Sequence, residues 1–371
     1  MHIGFLAADL THAHGWADYS VNLLTALERQ GIKLTVLAAR NSPPQSPFSA
    51  QRLLPSVTPL DRAMLVRQMR VSPAARQALA DCDVIHTAVE LYAPLAAILA
   101  GRRPLVMTVH GSYAHLPHLR GGLVDRLYRW AFRRARLVCV SRYTAHVMAD
   151  VLPKSNIIVV NNGVDIEKYW NVGQLSQTPT KHGPTILTVG GVKPRKGTRE
   201  LVQAIGKVRQ IIPDVQCIIV GSLRQHPDYV AAIRADIAAQ GLESNVHLMG
   251  FMPDDQLLAW YGAADMFVMP SLNDGWKFEG FGLVHLEASA AGLPVIGTLG
   301  CGAEDAIMDG KTGLLVNQAN LDTELPSAIL SLLIDSTRAR RMGQAGRLHA
   351  QTMTWDHTAK QMIEVYEELL R

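Results

Sequence analysis

Cysteine is scarce in this chain of 371 residues, and the four present, Cys82, Cys139, Cys217 and Cys301, stand far apart. Such spacing offers neither a disulfide framework nor a paired-cysteine metal site. Most of them sit in or beside apolar runs, as buried thiols do, which fits a reducing compartment. Long hydrophobic runs are also missing. None approaches the roughly 20 residues that cross a bilayer, so any membrane contact is expected to be peripheral. The amino terminus opens on a short apolar strand with no positively charged leader or cleavage site, so no signal peptide is expected and a cytoplasmic location is. Charged residues make up only 18%, and the net charge of +4 is modest, a weak pointer to an anionic partner. Basic residues are scattered and no DNA or RNA module appears, which argues against nucleic acid. What is abundant is apolar: 48% of residues. That composition is of a well-packed globular protein, and the length suggests two domains.

The first half begins with an apolar strand, Ile3 to Ala8, then a polar turn over Thr11 to Asp18, an amphipathic helix over Tyr19 to Gln30 and a second strand, Leu34 to Ala38. This strand–loop–helix–strand order is that of a parallel sheet. The turn lacks Gly-x-Gly-x-x-Gly; Gly15 alone serves either as a turn residue or as part of a ligand loop. Asn41 to Pro59 reads as loop and Leu60 to Ala80 as helix. Leu105 to Val109 is a clear strand closed by His110-Gly111. A histidine at the C-terminal end of a parallel strand is either a satisfied edge residue or a ligand contact. Leu123 to Arg136 reads as a helix dense in arginine and interleaved with Leu123, Leu127, Tyr128, Trp130 and Phe132. It presents either a solvated face or a face that sits on anionic lipid. Ser141 is expected to cap the next helix, and Arg142 stands at its start.

Asn171 to Pro184 is polar and without periodicity, as a linker is. A fresh strand, Ile186 to Val189, runs into Gly190 to Thr198, GGVKPRKGT. Glycines, two lysines and an arginine at a strand end and helix mouth make either an anion site or a plain basic loop. Cys217 to Val220 ends in Gly221, and Val246 to Met249 is followed by Gly250 and Phe251. Asp254 is expected to cap a short helix. The stretch around which the chain is organised is Pro270 to Cys301, PSLNDGWKFEGFGLVHLEASAAGLPVIGTLGC, with Glu279 and Glu287 separated by seven residues. Glu279 is placed on a loop and Glu287 inside the helix that follows, so that a carboxylate and free backbone N–H groups share a helix mouth. Taken alone this is equally a glycine-rich turn feeding an ordinary helix.

EGFGLVHLEASAAGLPVIGT, with the Glu-x7-Glu pair, the Ala-Gly-x-Pro-Val step and the later Asp-Gly-x-Thr-Gly-Leu-Leu-Val, resembles the signature of the retaining, nucleotide-sugar-dependent glycosyltransferases of family 4. The resemblance extends over nearly the whole chain. It implies the GT-B fold, two Rossmann-like doubly wound domains facing across a cleft. The domains are expected at 1–170 for the acceptor and 185–351 for the nucleotide sugar. A linker spans 171–184, and a final helix over 352–371 crosses back to the first domain. The implied reaction moves a hexosyl group from a UDP- or GDP-sugar to a glycan, lipid-linked or small-molecule hydroxyl. A sugar-phosphate synthase or phosphorylase of the same fold, and a non-catalytic nucleotide- or glycan-binding protein, are the alternatives.

The resemblance also implies roles. His110 and Glu279 become catalytic-site residues beside the donor sugar. Gly15, Gly191, Arg195, Lys196, Gly221, Phe251, Gly280, Phe281, Gly282, Leu283 and Glu287 become donor contacts, with Glu287 on the ribose and Lys196 on the diphosphate; Arg142 is added as a further cleft residue. One departure stands out. The family commonly has Gly-Arg-Leu where this chain has Gly190-Gly191-Val192, so Arg195 or Lys193 substitutes, Arg195 being favoured, or the phosphate grip is weaker, or activity is lost. No Asp-x-Asp metal motif is read in the chain, so neither metal nor other cofactor is expected. The partners expected are the donor, the acceptor and, through the arginine-rich helix, an anionic membrane surface on the inner face.

Overall fold

The computed structural model describes residues 1–11, 15–43, 46–57, 66–67, 72–115, 121–150, 156–174 and 179–371. The chain forms two units. One comprises Met1–Gly163 together with Trp355–Arg371, the other Val164–Thr354.

The first unit is built on a seven-stranded sheet of β1 (His2–Ala7), β2 (Lys33–Ala39), β3 (Ala50–Leu54), β4 (Val84–Thr87), β5 (Leu105–Val109), β6 (Arg136–Cys139) and β7 (Ile157–Val159). Their order is β3-β2-β1-β4-β5-β6-β7, every pair parallel, with Ile3 opposite Leu34 on one side and Val84 on the other. The central strands are mostly apolar because helices cover both faces, with His86, Thr87 and Thr108 as buried polar exceptions. Strand order reverses between β1 and β4, which makes the C-terminal ends of those strands the natural ligand position.

The final helix, Trp355–Leu370, belongs to this unit. Tyr366 is fully buried and its hydroxyl meets Nδ1 of His86 on β4 at 2.6 Å. Trp355 lies edge-on to Tyr19, and Thr358 Oγ1 donates to the Asn161 carbonyl at 2.9 Å. Three local expectations change here. The first helix starts at Gly15 rather than Tyr19, so Gly15 opens a helix instead of lying in a turn. Strand β3 occupies a stretch read as loop, because pairing to β2 supplies hydrogen bonds that composition does not reveal. Of the helix expected over 60–80, Pro73–Ala78 is observed, and 58–65 and 68–71 lie outside the described residues.

The second unit carries a six-stranded parallel sheet of β8 (Thr185–Val189), β9 (Gln216–Val220), β10 (Val246–Gly250), β11 (Met266–Val268), β12 (Val295–Thr298) and β13 (Gly313–Val316), in the order β10-β9-β8-β11-β12-β13. The reversal lies between β8 and β11. The division of the chain falls at Gly163–Val164, not at 170. Val164 donates its N–H to the Met353 carbonyl at 2.9 Å, Tyr169 packs edge-on to Tyr261, and Arg347 reaches the Trp170 carbonyl. These contacts make 164–174 part of the second unit. Asp254 is not a cap: Pro253 holds that position, and the Asp254 carboxylate pairs with Lys168 Nζ at 2.7 Å. Among the described residues no helix is long and apolar enough to cross a membrane.

Candidate active site

In the second unit, the loops after β8 and β11 meet at the point of reversal. The β8 strand leaves through Gly190 into a short turn, Pro194–Lys196, and then the helix Thr198–Val208. Gly197 between them has φ +65°, and a Cβ there would stand 1.9 Å from the Pro270 carbonyl oxygen. Gly221, after β9, is equally constrained, since a Cβ would stand 2.0 Å from the Gly190 carbonyl oxygen. Glycine at these two positions lets the three strand ends close on one another.

That closure delivers Arg195 and Lys196 to Glu279. Oε2 of Glu279 accepts from Lys196 Nζ at 2.5 Å, from Arg195 Nη1 at 2.9 Å and from Ser271 Oγ at 3.2 Å. Glu279 is 8% exposed. Burial would raise its pKa, but the charges of Lys196 and Arg195 overcome it and hold the carboxyl well below the usual range. Lys193, two and three residues from the other cations, makes no ion pair among the described residues. Its pKa is pushed down to about 8 by burial and by repulsion from Arg195 and Lys196. Three cations therefore face one carboxylate, an excess of positive charge at a strand end beside a helix mouth. At Gly191 an added Cβ would meet only Gln225 Oε1, at 3.4 Å.

Gly280, Phe281 and Gly282 are buried and lead into the helix Leu283–Ala290, which presents Leu283 in its first turn. Glu287 is inside that helix, as expected, and Tyr261 donates to its Oε2 at 3.1 Å. Phe251 does not pack; it is 84% exposed just past β10. Two residues of the same stretch were not singled out from sequence. Ser271 is the third donor to Glu279. His285 is buried, pushed down to about 4 by that burial, with its ring nitrogens against the Gly282 and Met269 carbonyls.

In the first unit, Gly15, His110 and Arg142 each follow the C-terminal end of a strand, β1, β5 and β6, and so share one edge of the sheet. Gly15 is exposed at the start of its helix and Arg142 is exposed at the start of Arg142–Ala149, where Ser141 Oγ accepts from Thr144 N as a cap at 3.0 Å. His110 Nε2 donates to the Ala88 carbonyl at 2.8 Å, and its ring lies edge-on to Tyr19, centroids 4.6 Å apart. Burial pushes it down to about 4, so the imidazole is neutral. Sequence reading missed Glu90, whose carboxylate accepts the His110 N–H at 2.6 Å. Its signal was a lone acidic residue within the apolar run Ala88–Ala100. His118 lies outside the described residues.

Among the described residues no group of three metal-ligating side chains occurs. One Asp-x-Asp string exists, Asp81-Cys82-Asp83, but it precedes β4 at the opposite end of that strand. There Asp83 accepts the His2 N–H at 2.7 Å and Cys82 is buried.

Residues 8–168 match the family described as Glycosyltransferase Family 4, and residues 176–349 match Glycosyl transferases group 1. The chain is 31% identical over 270 residues to the GDP-mannose-dependent alpha-(1-6)-phosphatidylinositol monomannoside mannosyltransferase of Mycolicibacterium smegmatis, covering 69% of this chain and 68% of that protein. It is 27% identical to the D-inositol 3-phosphate glycosyltransferase of Jonesia denitrificans, over 96% of this chain and 91% of the relative. Its structure is similar to that of Anabaena Alr3699/HepE in complex with UDP and glucose, with a TM-score of 0.80, 20% identity and coverage of 99% and 100%. Sucrose-phosphate synthase from Thermosynechococcus elongatus also aligns with a TM-score of 0.80, at 23% identity, over 99% of this chain and 98% of that one.

Proposed function

The chain belongs to glycosyltransferase family 4 and has the GT-B fold, and from that premise we propose that it is a retaining hexosyltransferase using a nucleoside-diphosphate sugar. The observation that carries this reading is the cation cluster at the β8/β11 reversal, Lys193, Arg195 and Lys196 around Glu279. A leaving diphosphate develops charge as the glycosidic bond breaks, and cations held in place before reaction stabilise it without reorganising. Lys196 donates to the diphosphate while keeping its bond to Glu279, Arg195 stays on Glu279, and Lys193 takes the role of the arginine that is missing at Gly191. Arg195 is less suited to that role because it already serves Glu279 at 2.9 Å. Backbone N–H groups at Gly282 and Leu283 add their field. Glu279 holds sugar hydroxyls, Glu287 the ribose, and exposed Phe251 offers a face to the base.

Retention is assigned to a front-face displacement, with the leaving phosphate accepting the proton of the incoming hydroxyl. Glu279 Oε2, ionised and engaged by three donors, is poorly placed to act as the nucleophile of a double displacement. The first unit supplies the acceptor half-site, where neutral His110 accepts a hydrogen bond from a sugar hydroxyl at Nδ1. The relatives' GDP-mannose and phosphatidylinositol chemistry makes GDP-mannose the first donor and a lipid-linked sugar or inositol the first acceptor to test. No metal is assigned a role.

The test is donor binding and hydrolysis with GDP-mannose, UDP-glucose, UDP-galactose, UDP-N-acetylglucosamine and ADP-glucose, with Lys196→Ala as control. One preferred donor, turned over slowly and lost in the control, is the expected result. Binding of none would overturn the reading.

A further inference from the structure

The end of β4 holds a carboxyl group that glycosyl transfer, as assigned above, does not use. Glu90 is wholly buried at the start of the turn Glu90–Tyr92. Its Oε1 accepts the N–H of His110 at 2.6 Å and of Gly111 at 3.2 Å. Two residues earlier, the Ala88 carbonyl accepts from the ring of the same histidine at 2.8 Å. The exit of β4 thus grips the exit of β5 at three points. On its other side the ring meets Tyr19, whose hydroxyl bonds Thr108 Oγ1 at 2.8 Å; that oxygen also meets His86 Nε2 at 2.8 Å. Because Nε2 donates to a carbonyl, the ring proton is assigned to Nε2 and Nδ1 is left as the acceptor. Oε2 of Glu90 is buried with no hydrogen-bond partner among the described residues. A carboxyl with one orphan oxygen is a costly way to satisfy two backbone N–H groups, and such cost is typical of functional sites.

We propose that Glu90 is a positioning residue for glycosyl transfer: its carboxylate sets the His110–Gly111 turn and so holds the imidazole in the Nε2–H form against Ala88. This rests on the reading that His110 touches the transferred sugar. Burial pushes Glu90 up to about 7. Once ionised it accepts the two N–H groups more strongly than the neutral acid does. Four neighbouring titratable groups stay silent near neutrality. Burial holds His110 down to about 4 and His86 down to about 3, and raises Cys139 and Tyr19 far above the neutral range. Turnover is therefore expected to climb with pH through a step near the Glu90 pKa.

The experiment is kcat and KM of the full chain with GDP-mannose, and with UDP-glucose as second donor, from about pH 5 to about pH 9, for wild type, Glu90→Gln and Glu90→Leu. The ring tautomer of His110 is read in parallel by nitrogen-15 NMR. Glu90→Gln keeps an acceptor oxygen of the same shape but cannot ionise. It is expected to lose the step and about 10-fold in kcat at alkaline pH, with KM little changed. Glu90→Leu is expected to lose more, with His110 leaving the Nε2–H form. A step that survives in Glu90→Gln, or a His110 tautomer unmoved in Glu90→Leu, overturns the proposal. A wild type that turns over neither donor counts against the glycosyl-transfer reading instead, and the tautomer then decides the positioning role by itself.

Discussion

At the scale of residues, the donor half-site is a question of which cation is committed and which is spare. Arg195 and Lys196 are bonded to Glu279, whereas Lys193 is held near them with no ion pair among the described residues and is pushed down to about 8 by burial and by their charge. A lysine grips phosphate only while protonated, so its contribution is present below that pKa and fades as pH rises through it. GDP affinity measured by calorimetry is expected to weaken above about pH 8 in wild type, and the pH dependence should be absent in Lys193→Ala, which should bind about 10-fold more weakly at neutral pH. The bound diphosphate will itself raise the lysine pKa and move the fall to higher pH. Gly191 gives the complementary test. Its space is open apart from Gln225, so Gly191→Arg is expected to fold and to tighten GDP about 10-fold, adding a bidentate donor. Unchanged affinity in Gly191→Arg would remove the idea that a cation is missing there.

At the scale of elements, two features invite change. The turn Pro194–Lys196 passes into the helix Thr198–Val208 through Gly197, left-handed and pressed against the Pro270 carbonyl. Gly197→Ala adds about 1–2 kcal/mol of backbone strain and a clash that only displacement of the β11 loop relieves. GDP binding is expected to be lost before the unit unfolds, checked by calorimetry beside thermal unfolding; intact affinity would show that the two loops need not touch. The second feature is the helix Gly122–Arg134. It buries Tyr128, Ala131 and Phe132 and leaves Leu123 79% and Trp130 45% exposed, with Arg126 and Arg133 exposed beside them. Arg129 pairs with Asp125 and Arg134 reaches the Gly101 carbonyl, so these two are committed within the unit. An outward face of leucine, tryptophan and two arginines suits an anionic bilayer surface. Co-sedimentation with phosphatidylglycerol vesicles is expected to fall several-fold in Trp130→Ala/Arg126→Glu/Arg133→Glu. Equal sedimentation of wild type and variant would leave this face as solvated surface.

At the scale of the whole molecule, the first unit is discontinuous in sequence: it is completed by Trp355–Arg371. Its buried polar chain runs from Tyr366 through His86 and Thr108 to Tyr19, so the last helix is tied to the strand ends that carry His110. Burial keeps His86 neutral, which lets one ring nitrogen accept and the other donate. Tyr366→Phe leaves a buried nitrogen without its partner, a cost of about 1–3 kcal/mol, and should lower the melting temperature of the first unit by a few degrees while leaving GDP binding by the second unit unchanged. A variant as stable as wild type would show that apolar packing alone docks the helix.

The amino-acid order by itself determined the two doubly wound halves, because apolar strands and amphipathic helices alternate at short range and each repeats a local pattern. It also determined the family, since Glu279, the glycines after it and Glu287 lie in one continuous stretch. Tertiary structure alone decided what those residues do to one another. Glu279 meets Lys196 and Arg195 across 83 and 84 positions, and Glu90 meets His110 across 20. No local period encodes such meetings. The same holds for β3, whose pairing to β2 overrode a loop-like composition, and for residues 164–174, which join the second unit through bonds to residues far along the chain. Local hydrogen bonding and hydrophobic periodicity act over a few residues, whereas ion pairing, burial and pKa depend on neighbours that only the folded sheet order brings together.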